Sequence, residues 1–230
     1  MDYKENKEIL RKFYASKGLT AHFEKDNQYL EKAFGKITDI WFANLEQIRE
    51  VKYLMIAEAP LWGEKESYIY NPETPYTPFF FKKDLEYALN GTTIRDKKDF
   101  IDRCNKIGLL IIDISPFALN TRDTIINYCN KNADNPYGIT KSKYQQLIKD
   151  TLPTFFECKI KAITPKASKN IKVFFRYPRV QKAFQGVIVD TLINYKIINS
   201  PDEISEIMQP GGGIDRGKLK KIIDSGNDSK

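Results

Sequence analysis

Tyr53-Leu54-Met55-Ile56-Ala57-Glu58-Ala59-Pro60 is the stretch that decides how the chain folds. An unbroken apolar run without polar alternation describes a strand buried on both faces, as in a parallel sheet, and Pro60 ends it by removing a backbone donor. Two more segments share the form. Leu109-Leu110-Ile111-Ile112 follows Gly108 and runs into Asp113-Ile114-Ser115-Pro116-Phe117, and Ile171-Lys172-Val173-Phe174-Phe175 runs into Arg176-Tyr177-Pro178. Tyr195-Lys196-Ile197-Ile198 reads as a fourth strand. Helical spacing separates these runs over 82–106, 141–150 and from Pro178 through Phe184, with another helical stretch near 122–130. Strands alternating with helices predict an α/β fold: a three-layer α/β/α arrangement around a central, mostly parallel four-stranded sheet.

Before the first strand, residues 4–50 read as helices. Ile9, Leu10, Phe13 and Tyr14 form one stripe, Gly18 and Thr20 interrupt it, and further stretches cover Asn27–Phe34 and Asp39–Ile48. Core packing is the preferred reading of the aromatic stripe that includes Trp41 and Phe42. Residues 61–81, LWGEKESYIYNPETPYTPFFF, form a long loop whose aromatic content argues for order. No internal repeat or linker divides the chain, so the expectation is one domain over 1–230. It has a helical part over 1–50, an α/β core over 51–224 and a frayed tail over 225–230.

Composition narrows the chemistry. The 230 residues carry 37 Lys and Arg against 30 Asp and Glu, a net charge of +7, and a pI of about 9.1. Such a surplus favours a polyanionic partner, nucleic acid first, although it also serves solubility. Cys104, Cys129 and Cys158 stand far apart and cannot build a four-thiolate zinc or iron–sulfur site, and their sparse number fits a reducing compartment. The single histidine, His22, excludes two-histidine zinc motifs and reads as a surface or capping residue. No metal and no cofactor are therefore expected. No apolar run approaches the roughly 18 residues of a membrane span, and the polar N-terminus lacks a signal-peptide core. The expectation is a cytoplasmic monomer that does not engage membranes.

Ligands of parallel sheets bind at the carboxyl ends of the strands. Here those ends are Glu58-Ala59-Pro60, Asp113-Ile114-Ser115-Pro116, Arg176-Tyr177-Pro178 and the segment near Pro210. Two acidic tips facing one crevice would make a site, while a helix N-cap or turn cap is the alternative for each.

Read together, these segments resemble the uracil-DNA glycosylase superfamily. Ile56-Ala57-Glu58-Ala59-Pro60, followed by Thr77-Pro78-Phe79-Phe80, resembles its first motif, and Gly108 to Phe117 its second strand. Lys172-Val173-Phe174-Phe175 with Gln181-Lys182 resembles the third strand and its helix. Met208-Gln209-Pro210-Gly211-Gly212-Gly213 lies where the family has a His-Pro-Ser loop. The resemblance spans about residues 51–224 and implies a DNA-binding, base-flipping enzyme that cleaves the N-glycosidic bond of single- or double-stranded DNA. A non-catalytic nucleic-acid-binding protein on the same scaffold is the alternative. The resemblance implies Glu58 and Gln209 as the catalytic pair, with Pro60, Phe79, Phe80 and Asp113 lining the base pocket. Core packing is the alternative for the Phe residues. Gly211, Gly212, Gly213, Arg216 and Lys218 are then the candidates for holding the DNA backbone.

Four exchanges alter the expected chemistry. Ala57 and Leu61 replace glycines of the first motif, Gln209 stands in the place of a histidine, and Asp113 in that of the base-reading Asn. An ionised Asp only accepts hydrogen bonds and suits two adjacent donors such as those on the guanine edge, whereas a protonated one donates once and accepts once. Uracil is therefore not expected to be the preferred base.

Overall fold

The computed structural model describes residues 1–74, 81–119, 124–126, 137–209 and 212–226. Among them the chain is a mixed α/β fold with a three-stranded parallel sheet and eight α-helices. The strands are β1 (Val51–Ala57), β2 (Leu109–Asp113) and β3 (Ala167–Phe175), in the order β2-β1-β3. The central strand carries the register: Ala57 faces Asp113 on one side, and Ile56 faces Phe175 on the other. Every residue of β2 is buried, and all of β1 except Lys52, which is why these segments read as continuous apolar runs.

Local chemistry sets the element boundaries. Asp96 caps α4 (Lys97–Ile107) by accepting from the Asp99 backbone N–H, and Gly108 ends it in the left-handed region at φ +76°. A Cβ at Gly108 would sit 2.4 Å from the Glu50 carbonyl oxygen, so only glycine lets α4 turn directly into β2. The free side of β2 is also closed. The Ile111 N–H donates to the Tyr70 hydroxyl (2.6 Å), and the Ile111 carbonyl accepts from Trp41 Nε1 (3.1 Å), so two aromatic side chains satisfy an otherwise bare sheet edge. Tyr70 belongs to the long aromatic loop, whose Trp62, Tyr68, Ile69 and Tyr70 are buried as well.

Three features of the fold differ from the sequence-based expectation. The N-terminal region contains two helices rather than three: α1 (Tyr3–Ser16) and a single α2 (Thr20–Gln47). The buried stripe Phe23, Leu30, Phe34, Ile37, Trp41, Leu45 runs unbroken along α2, and its packing outweighs the roughly 0.5–1 kcal/mol cost of a mid-helix glycine at Gly35. The sheet has three strands rather than four, because Tyr195 caps the C-terminus of α7 (Pro178–Asn194) and Lys196 turns the chain at φ +57°. Ile197 and Ile198 are buried without entering the sheet. The place beside β3 is taken instead at Ile204 by a single parallel bridge to Val173, with the Ser205 N–H donating to the Val173 carbonyl (2.8 Å). Finally, β3 begins at Ala167, four residues before the expected Ile171, across a register shift opposite Val51 and Tyr53.

The remaining helices are α3 (Lys82–Ala88), α5 (Lys141–Thr151), α6 (Phe156–Ile163) and α8 (Arg216–Ser225). α1 packs on α2 and α5, α3 on α8, and α7 on β3 and α5. The Tyr53 hydroxyl of β1 donates to the Ile223 carbonyl (2.7 Å), tying α8 to the central strand. No helix among the described residues is long and apolar enough to cross a membrane.

Candidate functional site

Glu58 lies at the tip of the central strand, where its carbonyl accepts from the Ser115 N–H (2.9 Å). Its side chain is buried and ion-paired. Arg179 Nε and Nη2 both reach Oε2, at 2.8 and 2.7 Å. Arg179 belongs to the first turn of α7, which Pro178 starts with its missing N–H at a position that has no helical partner to lose. The Arg179 guanidinium also lies 4.7 Å from the Tyr177 ring centroid, and that of Arg176 lies 4.6 Å from it. The tip of β3 therefore presents two stacked arginines and a tyrosine, one of the arginines holding Glu58. All three residues are only partly buried.

Asp113 ends the neighbouring strand in a different setting. Beside it lies Lys159 of α6, which is fully buried with its Nζ 4.2 Å from the Phe155 ring centroid and 4.8 Å from that of Trp41. Burial raises the Asp113 carboxyl above the ordinary carboxylate range, and the Lys159 charge opposes that rise. Burial likewise lowers the Lys159 ammonium, against the Asp113 charge. Asp113 Oδ2, Lys159 Nζ and the Tyr68 hydroxyl have no hydrogen-bond partner among the described residues. Two aromatic faces and a nearby carboxylate are what make a buried lysine tolerable here. The turn after β2 is stabilised by Ser115, whose Oγ accepts from the Phe117 N–H (3.1 Å), rather than by Asp113.

The two carboxylates thus reach the same end of the sheet without forming one constellation. The rung across from Asp113 is occupied by Ala57, Glu58 lies one residue further on, and each acid has its own cation on a different helix. Lys159 escaped the sequence reading although a signal for it exists. Phe156, Lys159, Ile160 and Ile163 follow helical spacing, so a lysine occupies a position of an apolar stripe.

The segment after Ile204 doubles back on itself. Met208 bridges Ile214 antiparallel, the Gln209 N–H donates to the Gly213 carbonyl (2.7 Å), and the Gly212 N–H donates to the Gln209 carbonyl (2.9 Å). Gly212 sits at φ +93°, and a Cβ there would meet Pro178 at 3.8 Å. The turn carrying the exposed Gln209 therefore rests beside the start of α7, one residue from Arg179. Lys218 shares a hollow with Gln209 and Pro178. Two backbone-holding expectations meet competition. Asp215 caps α8 by accepting from the Lys218 N–H (3.0 Å), so that helix end already has an anionic partner, and Arg216 is paired with Asp84 of α3 (2.9 Å). Pro60 is buried, with its carbonyl accepting from the Leu119 N–H (2.8 Å). Phe79, Phe80 and Gly211 lie outside the described residues. The neighbouring Phe81 is buried at φ +75°, and His22 stacks edge-on with Tyr137 at 5.1 Å.

Set against known proteins, the chain matches no family model, no curated protein and no solved structure, so the carboxyl edge of the sheet has to be interpreted from its own residues.

Proposed function

We propose that the protein binds nucleic acid along the carboxyl edge of its sheet, on a layered α/β/α scaffold that resembles the uracil-DNA glycosylase superfamily. The observation that carries this reading is the Arg176–Tyr177–Arg179 stack at the tip of β3. Guanidinium groups already held on an aromatic face lose little freedom on meeting phosphate, and they offer planes on which bases stack. The net charge of +7 supports the same partner. So does the placement of Glu58, Asp113, Arg176 and the Gln209 turn after the successive strand segments of the resemblance.

A second reading, excision of a base, is favoured by Glu58. It is a buried carboxylate on the central strand, and both contacts from Arg179 fall on Oε2. Arg179 would hold the carboxylate in place while Oε1 orients a water toward the sugar, and the Gln209 amide would donate a neutral hydrogen bond to the departing base. Asp113, held inside beside Lys159, enters both readings as an internal charge rather than as the reader of a base edge.

Fluorescence anisotropy on labelled oligonucleotides, run alongside an assay for released free base, tests both. Binding without release, with Glu58→Gln neutral, supports the binding reading. Release that Glu58→Gln abolishes supports excision. Absence of binding at low salt overturns both.

A further inference from the structure

Two hollows meet over the first turn of α7. One, of about 770 Å³, lies between the starts of α5 and α7, and its lining includes Thr140, Lys141, Arg179 and Lys182. The other, of about 550 Å³, lies between α7 and the Gln209 turn, and its lining includes Lys182, Glu206, Gln209 and Lys218. Pro178 and Lys182 belong to both, so the hollows form one trough across three helices. Lys141, Lys182 and Lys218 are exposed, and none has an ion-pair partner among the described residues. The lining also holds one acid, the exposed Glu206, which accepts from Gln181 Nε2 (3.4 Å) and from the Met208 N–H (3.3 Å) and sets one negative charge against the three lysines.

We propose that this trough is the track for the phosphates of a single-stranded nucleic acid, with Lys141, Lys182 and Lys218 as its three cationic stations. The proposal rests on the nucleic-acid reading above and adds the path and the form of the strand. Cations spread over α5, α7 and α8 match a polymer with several phosphates better than one phosphate group. Pro178 is exposed and lines both hollows, so a backbone running from one to the other must follow the surface over it. A flexible single strand does that freely, whereas a duplex holds its phosphates at a fixed rise and resists bending over about 150 base pairs. The Arg176–Tyr177–Arg179 stack joins the trough through Arg179, which places a stacking surface beside the phosphate track.

The test uses the full chain in salt titrations of oligonucleotide binding. Lys141→Gln, Lys182→Gln and Lys218→Gln are combined in one variant. Lys4→Gln, Lys25→Gln and Lys32→Gln, exposed positions on α1 and α2, form a control of equal charge loss. All six side chains are exposed, and thermal melting verifies that both variants stay folded. The trough variant is expected to bind single strands about tenfold or more weaker near 0.1 M salt, with the slope of log K against log salt reduced by about 2. The control is expected to stay within about twofold. Unaltered protein is expected to bind a single strand more tightly than the matching duplex. A phosphorylated acidic peptide at equal phosphate concentration should fail to compete. An unchanged slope in the trough variant, tighter binding of the duplex, or full competition by the peptide would each overturn the proposal while leaving nucleic-acid binding standing. If the unaltered chain binds no oligonucleotide at all, the broader reading fails with it.

Discussion

Glu58 and Asp113 lie at the tips of neighbouring parallel strands, and each has a cation beside it, yet their surroundings are opposite. Arg179 reaches Glu58 from a half-exposed position and shares its guanidinium with Tyr177 at the surface. Lys159 stands beside Asp113 with no solvent access, held against Trp41 and Phe155. The first arrangement can exchange partners with something arriving from outside. The second cannot do so without opening the core. Here the two strand tips divide into one whose counter-ion reaches solvent and one whose neighbouring cation is sealed in the core.

The largest expected effect comes from the sealed tip. Lys159→Met removes the charge that opposes the rise of the buried Asp113 carboxyl, and urea denaturation at neutral pH should show a loss of about 3 kcal/mol, limited by Asp113 taking up a proton. Adding Asp113→Asn should return much of that loss. If the double variant instead loses the sum of the two single changes, the residues are not a coupled pair. The corresponding break at the edge is milder, because Arg179 keeps part of its hydration. Arg179→Ala should cost about 2 kcal/mol, and Glu58→Gln in the same chain should relieve part of it. A cost equal to that of Lys159→Met would erase the contrast between the two tips.

The smallest effect is a dependence on pH. In the folded chain Asp113 holds its proton above the ordinary carboxylate value of 3.8, so it favours folding at low pH, and that contribution is lost as pH rises through the raised value. Lys159 releases its proton below the ordinary amine value of 10.5, so its neutral form favours folding at high pH, and that contribution is lost as pH falls through the lowered value. Urea midpoints measured against pH should show these two flanks in the unaltered protein. The stability difference between the unaltered protein and Asp113→Asn should move in favour of the variant by about 1 kcal/mol or more as pH rises through the raised Asp113 value. A difference that moves the other way would reverse the assigned sign.

The strands and their order of appearance were legible because burial on both faces leaves an unmistakable apolar run. Met55 and Ile56, Leu110 and Ile111, and Val173 and Phe174 all lie where that pattern predicts. Tyr195-Lys196-Ile197-Ile198 misled because a short apolar run that closes a core looks the same as one that pairs in a sheet. The bridge at Ile204 involves too few residues to leave any periodicity. In the candidate site, the residues at the strand ends could be named from sequence, but their partners could not. Arg179 and Lys159 lie 121 residues and 46 residues from the acids beside them, and only the fold brings them there. Gln209 illustrates the same limit: its closeness to Pro178 follows from a turn whose hydrogen bonds involve Gly212 and Gly213.

The most direct measurement of the central claim is the salt dependence of oligonucleotide binding by the unaltered chain. Affinity is expected to fall linearly on a log–log plot, with a slope near −2 or steeper for three or more phosphate contacts on a single strand. Binding that ignores salt, or no binding even at low ionic strength, would contradict that claim.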